Sequence, residues 1–441
     1  MDSVVIVSAA SALALALRGL GRRPGASSTR GCSVSPLVAL AVTTALIYVN
    51  QVLFTVYVLR VHGGDTSFIA RYLPTGWFDL ATHNPVLRSL GRVFPAPELL
   101  APSVLRVQAF LELPFVLTAF ATVARWFDAD LYRRIACSAL LPLASVSYTV
   151  VFCLVEWDLR NPYTNDDLVI RAMSGVITPL FLARWAARDE GVSRAAASVW
   201  GLLVFIGSLG ALGVLVLVVY DTALLYNLGR LDDRLPVAMV AGSALIGLRR
   251  AAARLPVPSS PGLSSAFVWQ VLRHWLALFF VPALALRYAI MFGTPQLGVA
   301  GGMLIAAAAV VLAGRDVMAT SGGGWRLALV LVGRVACAVL AGSVAAYGVA
   351  ALTPRSYYEV TLLTSAAAFL VTGVVVCGLL DFRDQVLAGD GRCDDGPERH
   401  RQPGHLGLAR LLRLQAGQRG EAAAVLEQRR SRGRGRRQAC P

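Results

Sequence analysis

Residues 196–220 read AASVWGLLVFIGSLGALGVLVLVVY, a run of 25 residues without a charged side chain. A helix rises 1.5 Å per residue, so about 20 apolar residues cross the hydrocarbon core of a bilayer, which is about 30 Å thick. Soluble helices of this length alternate apolar and polar positions so that one face meets water. This stretch is apolar all round, which predicts a membrane-spanning helix.

Similar apolar blocks recur along the whole chain. Of its 441 residues 56% are hydrophobic and 15% are charged, whereas soluble domains carry about 25% charged residues. The sequence therefore predicts an all-α, polytopic transmembrane helix bundle of about ten or eleven spans in the cell membrane. The other predicted spans are 3–17, 36–59, 107–124, 135–155, 170–187, 236–248, 268–292, 296–313, 327–352 and 358–380.

The basic side chains of this sequence are all arginines, which give a net charge of +15. The absence of lysine excludes mechanisms that need a phosphate-loop lysine or a lysine Schiff base. Arginines in short loops collect on the cytoplasmic side. This rule predicts an external N-terminus and a cytoplasmic C-terminus, because alternate connections then hold Arg18, Arg22, Arg23, Arg30, Arg125, Arg133, Arg134, Arg184, Arg188, Arg194, Arg249, Arg250, Arg254, Arg315 and Arg326.

Two segments differ from the spans. Residues 60–106 contain prolines, aromatic residues and five arginines, which predicts interfacial helices on the outer surface. Residues 382–441 are rich in glycine, glutamine and arginine and lack apolar periodicity. The chain is therefore divided into a transmembrane helical domain, 1–381, and an arginine-rich, disordered cytoplasmic tail, 382–441, whose residues from about 385 onward are expected to be dispensable. No nucleic-acid partner is expected.

The connection after the fourth span, residues 156–167, is EWDLRNPYTNDD. Its acids and polar groups stay close to the membrane because the loop is short. Glu156 directly continues an apolar run, so it is the first candidate for a proton-donating acid. The catalytic candidates in this loop are Glu156, Asp158 and Asp166, and the candidates for substrate binding are Trp157, Asn161 and Tyr163. An equally weighted alternative is a solvated loop, with a turn at Asn161 and a capped helix after it.

Ionisable groups inside spans are functional candidates because they are costly there. Glu112 lies within the third span and is a catalytic candidate, or a structural partner of an arginine. Arg334 lies about two turns into the tenth span and is expected to pair with Glu112 or another acid, or to bind substrate. Tyr220 and Asp221 lie at the outer end of the sixth span. They could line a polar mouth or belong to an ordinary aromatic rim.

Motifs of several enzyme classes are missing from the sequence. It has no HExxH, GxSxG or CxxC motif, and the pair Asp166–Asp167 lacks the third spaced carboxylate of a magnesium–diphosphate site. The seven cysteines are scattered, so no disulfide framework is expected. No metal or other cofactor is predicted.

The Glu156–Trp157 pair at a span end, the further acids of its loop and the missing diphosphate motifs resemble the polytopic membrane-bound meroterpenoid cyclases of bacteria and fungi. The resemblance implies a membrane-embedded enzyme that cyclises a lipophilic isoprenoid-type substrate taken from the membrane lipid. Glu156 would be the carried-over acid that starts the reaction. The alternative is a multi-pass transporter or channel that uses the outer-side acids as a substrate or proton path. A third possibility is a protein without a special site.

The topology gives a first prediction. Reporter fusions after Arg23 and after Arg383 should both report the cytoplasm. The N-terminus is predicted to be external, and each of these points follows an odd number of spans. A periplasmic or extracellular signal from either fusion would contradict the orientation.

Overall fold

The computed structural model of this chain describes residues 34–70, 79–93, 100–159, 164–189, 198–254, 262–289, 295–321, 324–352 and 358–390. Throughout these ranges the regular structure is helical. The described residues group into two compact units, one formed by residues up to 309 and the other mainly by residues 258–270 and those from 310 onward. The predicted first span, 3–17, lies outside the described residues.

The first unit contains most of the helices. They are α1 (Pro36–Val61), α2 (Ser67–Ala70), α3 (Pro85–Val93), α4 (Leu100–Phe127), α5 (Ala129–Ala136), α6 (Leu140–Leu159), α7 (Thr164–Ala187), α8 (Val199–Val219, continued by a π-helical turn, Tyr220–Leu224), α9 (Leu231–Arg254), α10 (Leu263–Phe279, whose first half groups with the second unit) and α11 (Ala283–Tyr288). The second unit has α13 (Trp325–Leu352) and α14 (Tyr358–Asp390), while α12 (Pro295–Ser321) contributes to both units.

The predicted fold class is confirmed. Eight described helices are long and apolar enough to cross a bilayer, and the bent pair α5–α6 makes a ninth candidate. Many of their large apolar side chains are exposed, for example Val240 in α9 and Leu340 in α13. Exposed apolar side chains are expected of helices that face lipid, where there is no water to drive them inward. The chain is therefore an all-α, multi-pass membrane protein.

Two predicted spans are interrupted. The prediction of 135–155 as one helix was wrong at its start, because α5 ends at Ala136 and α6 begins at Leu140 at an angle of 65° to it. The span predicted at 268–292 divides into α10 and α11. Pro282 precedes α11 at this break, and it has no backbone N–H to continue a helical ladder. A hydropathy average reports how long an apolar stretch is, and it does not detect a break in the helix within that stretch.

The predicted interfacial segment, 60–106, contains two short helices in its described parts, α2 and α3, while α4 already begins at Leu100. Asp65 starts α2 by accepting bonds from the backbone N–H and the hydroxyl of Ser67 (2.8 and 2.9 Å), and these bonds lower the pKa of its carboxyl. A Cβ at Gly91 in α3 would lie 3.6 Å from Leu59, so α3 packs closely on the end of α1.

The span predicted at 358–380 is longer in the structure, where α14 continues to Asp390. Asp381 on this helix accepts the backbone N–H groups of Ser264 and Ser265 (2.8 and 2.9 Å) and the Ser265 hydroxyl (2.7 Å), so it caps the start of α10. Arg334 of α13 pairs with Asp381 (3.3 Å) and with Asp384. The expectation that Arg334 pairs with an acid is confirmed by Asp381 and Asp384. These two acids of α14 connect it to α13, and Asp381 also connects it to the start of α10.

The Asp381 junction gives a second prediction. Asp381→Asn should lower the free energy of unfolding by about 2–3 kcal/mol, because it removes charge-assisted bonds to two backbone N–H groups and to Arg334. Asp384→Asn is the matched control, and it should cost about 1 kcal/mol or less because Asp384 is half exposed. Melting temperatures in one detergent compare the two. An equal or larger loss in Asp384→Asn would contradict the prediction.

Candidate functional site

Three helices of the first unit, α4, α6 and α7, approach one another through small polar residues. The Ser145 hydroxyl of α6 donates to the Gly175 carbonyl of α7 at 2.7 Å, and a Cβ at Gly175 would lie 3.2 Å from the Thr149 hydroxyl. Ser174 of α7 donates to the Phe110 carbonyl of α4 at 2.8 Å. Small side chains let helices pack closely within membranes, so larger side chains at the same level meet between these helices.

The centre of this three-helix group is a buried ion pair. Glu112 of α4 is 9% exposed and Arg171 of α7 is 4% exposed. The Nη1 group of Arg171 donates to Oε2 of Glu112, and the Tyr148 hydroxyl of α6 donates to the same oxygen at 3.1 Å. Helices α6 and α7 therefore each contribute one donor to the single carboxylate of α4. The partner of Glu112 is Arg171, so the suggested alternative of a Glu112–Arg334 pair was wrong.

Phe152 forms one side of this cluster. The guanidinium carbon of Arg171 lies 4.1 Å from the centre of the Phe152 ring, which is a cation–π contact. Tyr148 and Phe152 are four residues apart on α6, and their rings are 4.6 Å apart. Arg171 thus has an acid on one partner helix and an aromatic face on another. We name this cluster of Glu112, Tyr148, Phe152 and Arg171 the α4–α6–α7 charge cluster.

A second buried polar contact lies on α4 one turn before Glu112. Gln108 accepts a bond from the Asn50 amide of α1 (3.1 Å), and its own amide group donates to the Ala223 carbonyl (3.3 Å). Ala223 belongs to the π-helical turn Tyr220–Leu224 that continues α8. Gln108 is 2% exposed. Helix α4 therefore carries two buried polar contacts in successive turns, Gln108 and then Glu112.

The acidic connection predicted as a site lies next to the charge cluster along the chain. Helix α6 continues to Leu159 and α7 begins at Thr164. Glu156 is therefore on the helix, one turn beyond Phe152, with Trp157 and Asp158 after it, and Asp166 lies about one turn before Arg171. The side chains of these four residues lie outside the described ones, as do Asn161 and Tyr163 entirely. Along α6, Glu156 lies two turns beyond Tyr148, the residue that donates to Glu112.

Tyr220 and Asp221 are not part of this cluster. Tyr220 is buried in an apolar core with Phe115 and Ile47. Asp221 accepts a bond from Arg234 at 2.8 Å and one from Asn227 at 3.4 Å. Asp221 is therefore held in a salt bridge near the end of α8. Arg334 belongs to the second unit, where it pairs as described above.

Sequence reasoning missed Arg171, Tyr148, Phe152 and Gln108. One signal was available for Arg171, because it is an arginine directly after the apolar start of the span predicted at 170–187. In the described part of the chain, no three His, Cys, Asp or Glu side chains come together as metal ligands.

Comparison with protein-family models, with curated proteins and with solved structures finds no match to this chain. The fold and the charge cluster therefore define its class, a multi-pass α-helical membrane protein with an ion pair buried among its spans.

The ion pair gives a third prediction. Glu112→Gln should destabilise the folded protein by about 3–5 kcal/mol, because Arg171 is then a buried charge without its counter-charge. The double variant Glu112→Gln/Arg171→Gln should recover part of this loss, because neither partner is then charged. Asp65→Asn is the matched control, since it neutralises an exposed acid whose bonds to Ser67 an asparagine also accepts.

Thermal unfolding of the four proteins in one detergent measures these differences. A double variant that is less stable than Glu112→Gln would contradict the coupling between the two charges.

Proposed function

We propose that this chain is a proton-coupled carrier of an amphiphilic anion, and that the α4–α6–α7 charge cluster is its binding site. The observation that carries the proposal is the buried pair of Glu112 and Arg171, held within three helices. Ionisable groups at this depth are costly in a membrane and mark substrate and proton paths.

The coupling follows from charge balance. While Glu112 is ionised, it neutralises Arg171, and an anion gains little by approaching. When Glu112 takes up a proton, Arg171 loses its counter-charge in an apolar surrounding, and an anion that enters restores neutrality. Proton and anion therefore favour each other's binding, as reciprocal linkage requires. One proton and one negative charge cross together, which is an electroneutral step.

The side chains of the cluster suit a carboxylate or phosphate group. A guanidinium offers several N–H donors in a planar fork that matches both groups. Phe152 stacks on the guanidinium and Tyr148 supplies a hydroxyl donor on the same side of α6. Large exposed side chains of α6 and α7, among them Leu143, Met173 and Phe181, are apolar, so the remainder of the substrate is expected to be lipophilic. The acids of residues 156–167 would deliver protons to the site. Because they would repel a free anion in water, the substrate is expected to enter from the bilayer.

A flipping assay tests the carrier function. The probe is a prenyl phosphodiester with a fluorescent tail, which carries one negative charge over the pH range of the assay, placed in proteoliposomes and followed by its cleavage by an added phosphodiesterase. The wild-type protein should speed its appearance at the outer leaflet by about tenfold over empty liposomes, within the usual range of coupling. The rate should rise as the pH falls, because Glu112 must be protonated for the anion to bind.

Two variants and a control complete the assay. Arg171→Gln should abolish the acceleration, and Glu112→Gln should remove its pH dependence. Arg326→Gln is the control, because Arg326 is an exposed arginine of the second unit that stacks on Trp325. Acceleration that survives in Arg171→Gln would rule out this site.

The second candidate is the enzyme suggested by the resemblance, which would cyclise an isoprenoid chain after protonation of an alkene or epoxide. It is favoured by the helical position of Glu156, one turn beyond Phe152. In such a reaction the acid gives a proton to an alkene carbon, or to the epoxide oxygen as its C–O bond breaks, a carbon–carbon bond closes the ring, and another proton leaves, so an alkene product is an isomer of the substrate. The guanidinium on the Phe152 ring weighs against it, because a positive charge there repels a carbocation.

The same protein preparations separate the two candidates. If the chain is a cyclase, extracts of membranes incubated with a prenylated aromatic probe should contain an isomer of that probe. Glu156→Gln should lower its formation by about 10²-fold, the usual scale for a positioned acid. Asp166→Asn is the control and should cost much less if Asp166 only caps α7. Full product formation in Glu156→Gln would remove this residue as proton donor.

A further inference from the structure

Helix α5 turns sharply away from α6. It carries Asp130, Arg133 and Arg134 within eight residues, and it makes an angle of 65° with the helix that follows. Three ionisable side chains on one short helix do not belong in hydrocarbon. Asp128 caps this helix through the Asp130 N–H (2.9 Å) and pairs with Arg273 at 3.0 Å. Helix α5 is therefore expected at head-group depth, where its charged side chains can reach water.

The inner charges around α5 are paired with one another. Arg125 holds the Asp189 carboxylate with two bonds, at 2.7 and 3.1 Å. Arg133 pairs with Asp130 and donates to the Asp189 carbonyl at 2.6 Å. These contacts join α5 to the end of α7. They also neutralise the two acids of this junction, Asp130 and Asp189.

Three further arginines surround the same junction without such a partner. Arg134, Arg184 and Arg188 are exposed, and no acid of the described residues lies within ion-pair distance of any of them. Arg134 is next to Arg133, and Arg188 is next to Asp189. The Cys137 thiol, after α5, donates to the Ala183 carbonyl at 3.9 Å, which places the end of α5 beside Arg184. Arg184 is in the last turn of α7 and Arg188 directly follows the helix, so the two like charges lie close along the chain.

The surface next to these arginines is apolar on the membrane side. Leu180 and Phe181 of α7 are exposed, and Leu180 is one turn before Arg184 on the same face of the helix. Met173, two turns before Leu180, is also exposed. The Trp185 ring contacts that of Phe181 at a tilt (5.8 Å between ring centres), and tryptophan is typical of the membrane interface. The exposed face of α7 thus changes from apolar to basic at the depth of α5.

We infer that Arg134, Arg184 and Arg188 form a binding site for the phosphate of an anionic phospholipid, whose acyl chains lie along Leu180 and Phe181. The arginines supply the donors that phosphate oxygens accept, and the exposed apolar face of α7 supplies a surface that a free phosphate would not use. The site is at the opposite end of α7 from Arg171's neighbours Asp166 and Asp167, so it is separate from the α4–α6–α7 charge cluster. It does not depend on the proposed carrier function.

The test uses the full chain in nanodiscs of phosphatidylcholine with 0, 10 or 30% phosphatidylglycerol. The melting temperature of the wild-type protein should rise by a few degrees with phosphatidylglycerol, as expected for a ligand that binds only the folded state. Native mass spectrometry after mild delipidation should find phosphatidylglycerol retained on the protein. The variant Arg134→Gln/Arg184→Gln/Arg188→Gln should lose the rise and retain about tenfold less of this lipid.

A matched control removes three other exposed arginines, in the variant Arg250→Gln/Arg254→Gln/Arg326→Gln. It should behave as the wild type, because the net charge of the two variants is the same and only the position differs. Inorganic phosphate added to phosphatidylcholine nanodiscs should have no effect. The proposal is overturned if the control loses the lipid response equally, if phosphatidylglycerol has no effect on the wild type, or if inorganic phosphate reproduces the effect.

The lipid-retention measurement keeps the test valid if the first triple variant is less stable in pure phosphatidylcholine. In that case the single variant Arg184→Gln is compared with Arg250→Gln by lipid retention on the folded protein. Equal retention by these two would overturn the proposal.

Discussion

The pairing of Glu112 with Arg171 is the interaction around which the first unit is organised. A charge among membrane helices has no water to solvate it, so it needs a counter-charge and hydrogen bonds from neighbouring helices. Glu112 obtains both, from Arg171 of α7 and Tyr148 of α6. The close approach of α6 and α7 at Gly175 and the bond from Ser174 to α4 hold the helices at the distance that this pair requires. The second unit meets the same constraint with Arg334 and Asp381.

The spans could be predicted from the sequence because their cause is local. A stretch such as 199–219 is apolar on every side, and the only regular structure that satisfies its backbone in lipid is a helix. The ends and breaks were less predictable, because they depend on single groups. Helix α14 continues to Asp390 although its last turns are polar, and Asp384 in this part is bound by Arg334. The chain bends by 65° between α5 and α6, which an average over hydropathy does not register.

The candidate site could be predicted only in part. Glu112 was recognisable because it interrupts an apolar run, and the acidic connection was recognisable by composition. Their partners were not, because Arg171 is 59 residues and Tyr148 is 36 residues from Glu112 along the chain. Which helices are neighbours is a property of packing, and no local pattern encodes it. This is also why Arg334, which belongs to the other compact unit, was offered as one possible partner of Glu112.

The pairing also changes the weight of the functional alternatives. An isolated acid in an apolar site is readily protonated and can act as a proton donor, and that argument first favoured an enzyme. An acid beside a guanidinium is different, because giving or taking a proton also changes the charge that the arginine presents to a ligand. Phe152 strengthens this distinction, since the ring face that could stabilise a carbocation is covered by Arg171. The geometry therefore favours chemistry in which a proton controls the binding of an anion over chemistry in which a proton creates a cation.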